Sequence, residues 1–151
     1  MPRHVWSVLS RSHSLDKETN QVSLFEVLET LRFKRPTDEV GTARIVVPVQ
    51  CVISSLLVRE EASTPEAAEQ RVQFRDPEGE VLEDLDAVVE LDLESSMRTR
   101  TFVRLDGIPF TIPGEYLFEV SVRPAGAERW KRVARVPVAL TEIGRSQQHS
   151  P

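Results

Sequence analysis

Apolar and polar residues alternate along much of this chain, and a period of two is typical of strands with one buried and one solvent-facing side. The clearest case is the segment 115–123, and the segment 129–140 alternates in the same way. Residues 124–128 between them are typical of a tight connection, so the two segments predict an antiparallel hairpin. The positions expected to face the core are Tyr116, Phe118, Val120, Val122, Trp130, Ala134, Val136, Val138 and Leu140.

The charges of this hairpin favour one register. If Arg123 pairs with Arg129, Glu119 lies diagonal to Lys131 and Arg135 on the solvent-facing side. Opposite charges at such positions stabilise a strand pair by about 0.2–1 kcal/mol each. We therefore expect these charged side chains to have a structural role.

Two segments upstream also alternate. Residues 87–94 have an acidic solvent-facing side, and residues 98–106 have a basic one. A short turn at Ser95 and Ser96 joins them, and opposite charges favour neighbouring strands. We expect these two segments to pair.

Two other segments leave alternatives open. Residues 43–59 are rich in β-branched side chains, but Pro48 lacks a backbone donor, so the stretch predicts either an edge strand or two strands joined at a bulge or bend. In residues 23–33, Ser23 and Glu26 form a capping-box pair, and the apolar residues that follow have helical spacing. We favour a strand for 23–33 because its neighbours are strands, with a helix as the alternative.

The whole pattern predicts an all-β protein, a single antiparallel β-sandwich of about seven to nine strands with at most one short helix. The composition, with 40% hydrophobic and 28% charged residues, is typical of a soluble globular domain. We expect one domain over 1–144. The segment 145–151 has no apolar anchor and predicts a disordered tail.

A loop with the apolar residues Ile108 and Phe110 leads through a Pro-Gly pair at 113–114 to Tyr116. This Gly-x-Tyr arrangement resembles the start of a late strand in an immunoglobulin-like sandwich, where the hydroxyl of a corner tyrosine bonds to nearby backbone. Phe118 stands where antibody domains have their second cysteine, so the resemblance is to the architecture. It implies an immunoglobulin-like sandwich with a tyrosine corner.

Short motifs in two parts of the chain resemble those of one known family. They are WSVLS at 6–10, the polar turn 16–20, VSLFEV at 22–27 and PGEYLFEV at 113–120. In these motifs the chain is similar to a family of small uncharacterised bacterial cytoplasmic proteins with a β-sandwich fold. The resemblance implies this fold and a bacterial, intracellular origin, and it brings no catalytic residue and no cofactor.

Charge and cysteine content argue against several classes of protein. Nineteen basic and 24 acidic residues give a net charge of −5, without the positive field of most binders of nucleic acid or anionic membranes. The single cysteine, Cys51, cannot form an intramolecular disulfide, which fits a reducing, cytoplasmic setting. The longest early apolar stretch, 5–9, is interrupted by Ser7 and is too short for a signal sequence or a membrane span.

The sequence lacks the usual catalytic and metal-binding motifs. His4, His13 and His149 do not have the spacing of zinc ligands. Cys51 lies among aliphatic residues, so we expect a buried, unreactive thiol. Neither a Gly-x-Ser-x-Gly motif nor a phosphate-binding loop occurs. We predict no catalytic residue, no metal and no cofactor.

Two charged groups remain as candidate sites. Glu83, Asp84 and Asp86 have the chemistry for acid–base catalysis or calcium binding, but they lack the order of a calcium loop, and such clusters are usually solvated. A set of basic residues makes a patch if their strands share one sheet, although ion pairs across sheet faces explain them better. That set is Arg98, Arg100, Arg104, Arg129, Lys131, Arg132 and Arg135.

These observations lead to two functional hypotheses. We favour a non-enzymatic interaction module that presents loops or a strand edge to a partner protein, with the apolar strand around Pro48 as the candidate edge. The alternative is an enzyme or a ligand-binding protein whose site combines Glu83, Asp84 and Asp86 with arginines from a facing sheet. Trp6 is expected in the core in either case.

Overall fold

The computed structural model describes residues 1–34 and 45–143, and every regular element in these ranges is a β-strand. The strands are β1 (Arg3–Leu15), β2 (Val22–Val27), β3 (Thr30–Phe33), β4 (Ile45–Val47), β5 (Cys51–Val58), β6 (Glu66–Arg75), β7 (Val81–Leu93), β8 (Arg98–Leu105), β9 (Ile108–Phe110), β10 (Gly114–Pro124) and β11 (Lys131–Glu142). The predicted all-β sandwich is confirmed, with more strands than expected. No helix in the described part is long and apolar enough to cross a membrane. The expected tail, 145–151, lies outside the described residues.

Two sheets pack face to face. The first has the order β2-β1-β5-β8 and the second β3-β11-β10-β6-β7, while β4 and β9 form a separate pair. Neighbouring strands are antiparallel except β3 and β11, which run parallel. Alternate residues of both sheets meet in one core, because their burial contributes about 25 cal/mol per Å² of apolar area. The core includes Leu9, Ile53 and Val103 of the first sheet and Phe74, Phe118 and Val138 of the second.

A chain of hydrogen-bonded polar side chains divides the interior. His4 Nε2 lies 2.7 Å from Ser7 Oγ, which lies 2.7 Å from Ser55 Oγ. Gln70 donates to Ser55 over 3.5 Å and accepts from Thr101 over 2.7 Å. Buried polar groups cost free energy unless they are hydrogen-bonded. This row of hydrogen bonds therefore favours one relative position of the two sheets. The smaller apolar cluster beyond it contains Leu57, Ala68, Leu91, Leu93 and Val122.

The predicted hairpin of β10 and β11 is present, but its predicted register is wrong. Glu119 lies directly opposite Arg135, and the expected pair of Arg123 with Arg129 is absent from the β10–β11 register. The register already differs from the predicted one by one residue where Val122 pairs with Lys131, because the connection is longer than expected. A β-bulge adds the second residue, since Val133 of β11 has no partner of its own.

The bulge also changes which side chains face the core. Val133 packs against the core, whereas Trp130, predicted to point inward, precedes β11 and is half-exposed. The Arg123 guanidinium carbon lies 4.1 Å from the centroid of the Trp130 ring. A period-two pattern reverses its faces after one extra residue, which explains the error. Trp6, also expected in the core, is only half-buried.

The expected pairing of the acidic strand with the basic strand is wrong. β7 lies beside β6 in the second sheet, and β8 lies beside β5 in the first. The loop between β7 and β8 crosses from sheet to sheet, and Arg59 donates to the carbonyl oxygens of Leu93 and Glu94 there, over 2.7 and 2.9 Å. The acidic side of β7 contacts a basic residue of its own sheet instead: Arg71 of β6 donates two hydrogen bonds to Asp86.

The segment 23–33 is extended, so the helix alternative is wrong. It forms two strands, β2 and β3, which belong to different sheets. The chain changes sheet at Leu28, whose N–H donates to Leu9 over 2.8 Å, and at Glu29, whose carbonyl accepts from Ala139 over 2.9 Å. Two short strands that meet at this step produce the apolar spacing that resembles a helix.

The segment 43–59 forms two strands over its described part, as one of the two alternatives predicted. Residues 48–50 separate β4 from β5. β5 lies between β1 and β8 in the first sheet, so the prediction of an edge strand is wrong for β5. Consecutive residues of β5 are buried, so both sides of this central strand are covered.

The predicted tyrosine corner is present. The hydroxyl of the buried Tyr116 accepts from the N–H groups of Thr111 and Ile112 over 2.8 and 3.1 Å and donates to the carbonyl of Ile112 over 2.7 Å. Gly114 begins the strand with a φ of 147°, and a Cβ there would lie 2.9 Å from Cγ of Pro77. The Gly-x-Tyr spacing therefore has a direct steric cause.

Candidate functional site

Strand β2 is one edge of the first sheet. It pairs with β1 and with no other strand of the described ranges. The backbone N–H and C=O groups on its other side therefore face away from the sheet. Such a row of groups is a template for the addition of another strand.

Two large apolar side chains lie on this edge strand. Phe25 is 49% exposed and Val27 is 54% exposed. The register sets them opposite Ser12 and Ser10, which lie two residues apart and thus on one side of β1. We call β2, with Phe25 and Val27, the β2 edge. Full burial of such a side chain contributes about 1.5–3 kcal/mol, so covering the exposed parts of Phe25 and Val27 is favourable.

The acidic residue of the β2 edge is directed toward the hairpin. Glu26 has a φ of 55°, in the left-handed region that is uncommon for residues other than glycine. Its carboxylate lies 2.9 Å from Nε of Arg11 on β1. The charge of Glu26 is therefore paired within the hairpin, while Phe25 and Val27 flank it.

The hairpin of β1 and β2 is held against the first sheet. The ring of His13 stacks on Phe102 of β8, with centroids 4.0 Å apart and planes within 6°. Near the tip, Arg100 of β8 donates to the side-chain oxygen of Asn20 over 3.5 Å. Ser54, which pairs with Phe102, is fully buried, so the hairpin covers the outer side of β5. These contacts preorganise the β2 edge.

The second sheet has an edge of opposite character. β7 pairs with β6 and with no further strand among those described. Its solvent-facing residues include Asp86, Glu90 and Asp92, together with Val88, which is 54% exposed. We call this strand, with these side chains, the β7 edge. Charges along an edge strand oppose pairing with another chain.

The three acids singled out from the sequence have different surroundings. Glu83 and Asp84 are exposed, while Asp86 accepts from Arg71 over 2.9 and 2.5 Å. These hydrogen bonds lower the pKa of Asp86, so its carboxylate is ionised near neutral pH. Asp84, Asp86 and Arg104 of the facing sheet line one cleft of about 210 Å³, and Glu83 does not line it.

Cys51, His4 and His13 do not line this cleft. Cys51 is buried as expected, and burial raises the pKa of its thiol to about 11 against a smaller opposing effect of Arg11. Burial lowers the pKa of His4, and His13 belongs to the hairpin contact. His149 lies outside the described residues. Over residues 1–34 and 45–143, no three His, Cys, Asp or Glu side chains form a group that could hold a metal ion.

The basic patch considered from the sequence is not formed as one unit. Its β8 arginines lie in the first sheet and its β11 residues in the second. Arg132 and Arg135 instead lie 3.0 and 3.7 Å from Glu119, which is the ion pairing across a sheet face that we favoured. Arg75 of β6 also pairs with Glu119, at 2.5 Å, and was missed because its strand is distant in sequence.

Comparison with known proteins gives no assignment. No family model matches this sequence, and no curated protein is similar to it. Among solved structures, a similar one is the soluble domain of PmoD from Methylocystis sp. ATCC 49242 (Rockwell), with 10% sequence identity and a TM-score of 0.38. The alignment covers 92% of this chain and 97% of that chain. A likeness of this size says nothing about what this chain binds.

Proposed function

We propose that this protein is a non-enzymatic, cytoplasmic interaction module that binds a partner protein through the β2 edge. The observation that carries the proposal is a strand edge, next to no other described strand, that exposes Phe25 and Val27. A partner adds an extended segment to β2, with backbone hydrogen bonds along the edge and alternate side chains against these two residues.

The composition of β2 supports this choice of edge. Natural edge strands are commonly protected by charged side chains, above all lysine, or by proline. The sequence VSLFEV of β2 contains neither lysine nor proline, and its one charged residue, Glu26, is paired with Arg11. The β7 edge, by contrast, carries the three acids Asp86, Glu90 and Asp92.

The energetics are also adequate for specific binding. Phe25 and Val27 are each about half exposed, so covering both contributes about 2–3 kcal/mol, or a factor of about 30–150 in affinity. Backbone hydrogen bonds to the partner strand add to this term. Because the hairpin is already held by Phe102 and Arg100, little conformational entropy is lost when the partner binds.

We further infer that the sandwich is immunoglobulin-like and that the protein is bacterial. The architecture is supported by two sheets of the order given above, by the parallel pair of β3 and β11, and by the tyrosine corner at Tyr116. The bacterial and cytoplasmic inferences rest on the resemblance of the sequence motifs, and the single cysteine agrees with a reducing compartment.

A ligand-binding site remains the second candidate because Asp84, Asp86 and Arg104 line one cleft. Its volume of about 210 Å³ is smaller than the roughly 300–1,000 Å³ of typical small-molecule sites. Asp86 already accepts two hydrogen bonds from Arg71. Binding at the β2 edge is therefore the function that the geometry supports better.

The test is capture of the partner with matched variants of the two edges. The full chain is immobilised and exposed to extract from the native host, first as wild type and then as Val27→Lys or Val88→Lys. Val27 and Val88 are equally exposed, at 54%, and lie on the β2 edge and the β7 edge, so the two variants differ only in the edge they alter.

We expect the Val27→Lys variant to lose the partner that the wild type captures, by about tenfold or more, since a lysine on this edge opposes pairing. The Val88→Lys variant is expected to retain it. Equal retention by both variants, or loss with Val88→Lys alone, contradicts binding at the β2 edge. Circular dichroism and thermal unfolding of each variant establish that the fold is intact.

A further inference from the structure

Glu119 points away from the core and yet is hardly exposed. It neighbours the buried Phe118 on β10 and so faces the outer side of the second sheet. Only 7% of its side chain is exposed, because three arginine side chains cover it. Nε of Arg75 and Nη1 of Arg132 lie 2.5 and 3.0 Å from its oxygens, and Nε of Arg135 lies 3.7 Å away. We call these four residues the Glu119 cluster.

The bulge in β11 brings two of these arginines to one side of the sheet. In a regular strand, residues three apart in sequence face opposite sides. With Val133 as the extra residue, Arg132 lies opposite Ser121 and Arg135 lies opposite Glu119, two residues apart on β10. Bulges often redirect side chains at functional positions, and this one produces the cluster.

The cluster has an excess of positive charge. Three guanidinium groups surround one carboxylate, in a chain with a net charge of −5. Arg75 uses a second donor on the carbonyl of Gly79, at 2.8 Å. Across the described residues, Arg132 and Arg135 make no ion pair or hydrogen bond except to Glu119, and half of each side chain is exposed. Most of their five N–H donors each therefore face solvent.

Glu119 keeps the arginines in place at neutral pH. Burial by itself raises the pKa of Glu119, but the hydrogen bonds from Arg75 and Arg132 outweigh it, so the pKa lies below its ordinary value. The carboxylate is thus ionised and holds three like charges close together. An incoming anion relieves the repulsion among them.

The surroundings favour a peptide over a nucleic acid. Leu117 and Pro137 form a cross-strand pair on the same side of the sheet and offer apolar contact to a polypeptide. Glu69 and Asp86 lie on the outer side of the neighbouring strands, paired with arginines of their own. These carboxylates oppose the binding of any long polyanion over the neighbouring strands, so the apolar pair of Leu117 and Pro137 is what favours a polypeptide.

We infer that the Glu119 cluster binds an acidic segment of a partner protein, whose aspartate or glutamate carboxylates accept hydrogen bonds from Arg132 and Arg135. Arginine and carboxylate groups match in geometry and often form two parallel hydrogen bonds. The cluster lies on the second sheet and the β2 edge on the first, so this surface is independent of the proposed strand addition.

The experiment is a titration of the full chain against a fluorescein-labelled oligoglutamate peptide, followed by fluorescence anisotropy at low salt. The test variant is the double substitution Arg132→Glu with Arg135→Glu. The control is Arg3→Glu with Arg98→Glu, which makes the same change of net charge on β1 and β8 of the first sheet. The test variant is expected to bind at least about tenfold more weakly, and the control to change by less than about twofold.

Three results would overturn the inference. The first is no binding of oligoglutamate by the wild type. The second is equal weakening in both double variants, which indicates attraction by net charge alone. The third is tighter binding of single-stranded DNA of equal charge, lost in the test variant, which assigns the cluster to nucleic acid. Val27→Lys is expected to bind oligoglutamate like the wild type, which separates this test from that of the β2 edge.

Discussion

The β2 edge and the β7 edge each pair with a neighbouring strand on one side only, but they differ in the side chains they expose. The β7 edge presents the acids Asp86 and Glu90 around Val88, whereas the β2 edge presents Phe25 and Val27 around one glutamate. In the described part of the chain the core clusters contain residues of β7 but none of β2, which is held by the contacts of its hairpin instead. Charges oppose the pairing of the β7 edge with another strand, whereas the side chains of the β2 edge favour it.

The largest expected effect comes from opening a cavity in the core between the two sheets. Phe118 is fully buried, with its ring centroid 4.4 Å from that of Phe74. Phe118→Ala is expected to lower the free energy of unfolding by about 3–5 kcal/mol, because it leaves a cavity between the sheets. Urea unfolding measures the change, with Val88→Ala as a surface control. A loss below about 1 kcal/mol contradicts a common core.

The next effect follows from making the β7 edge resemble the β2 edge. Glu90→Phe places an exposed aromatic ring two residues from Val88, as Phe25 lies two residues from Val27. We expect self-association to strengthen by about tenfold because the edge loses its charge and gains apolar area. Sedimentation velocity over a concentration series detects it, and Glu90→Gln controls for charge alone. If Glu90→Phe stays monomeric at every concentration, side chains do not decide which edge pairs.

A smaller effect is expected when the contact that holds the β1–β2 hairpin is weakened by a substitution outside β2. Phe102→Ala removes the stacking partner of His13 and is expected to cost about 0.5–1.5 kcal/mol of hairpin attachment beyond lost burial. Amide hydrogen exchange is expected to rise in β2 and to stay unchanged in β7. A uniform rise in both strands would indicate global destabilisation and would contradict a separate anchor for the hairpin.

The smallest expected effect is on the stability of the protein at acidic pH. The pKa of Asp86 is lowered by Arg71, so this pair contributes stability above the unfolded pKa of about 3.8 and loses it as the pH falls through the lower folded value. Since the pair is partly exposed, the contribution is at most about 1 kcal/mol. Asp86→Asn is expected to flatten the decline of stability below about pH 4 by this amount. An unchanged acid profile in Asp86→Asn, measured by thermal unfolding at each pH, contradicts the assignment.

Alternation in the sequence was sufficient to predict an all-β protein and the hairpin of β10 and β11, because strands and hairpins depend on residues close in the chain. The corner at Tyr116 was predicted from the resemblance of the Gly-x-Tyr arrangement. The prediction from alternation failed where β11 contains an extra residue. The bulge at Val133 reverses the faces of the residues that precede it, so Trp130 was placed inside. The bulge and the longer connection together shift the register, so the pairing of Glu119 with Arg135 was missed.

The candidate site depended on information that local patterns do not contain. Whether VSLFEV is an edge depends on the sheet order, and the same alternation fits a central strand. The acidic and basic strands looked complementary, yet Arg71 of β6, the strand that precedes β7, pairs with Asp86 instead. The one signal in the sequence was a short strand with apolar residues at consecutive positions, Leu24 and Phe25, where strict alternation expects one of them to be polar.

The most direct test of the account is amide hydrogen exchange of the complex between this chain and its captured partner. If the partner binds at the β2 edge, exchange becomes slower in Val22–Val27, because their outward N–H groups gain strand partners, while exchange in Val81–Leu93 stays unchanged. Slower exchange in β7, or no change in β2 on formation of the complex, would contradict it.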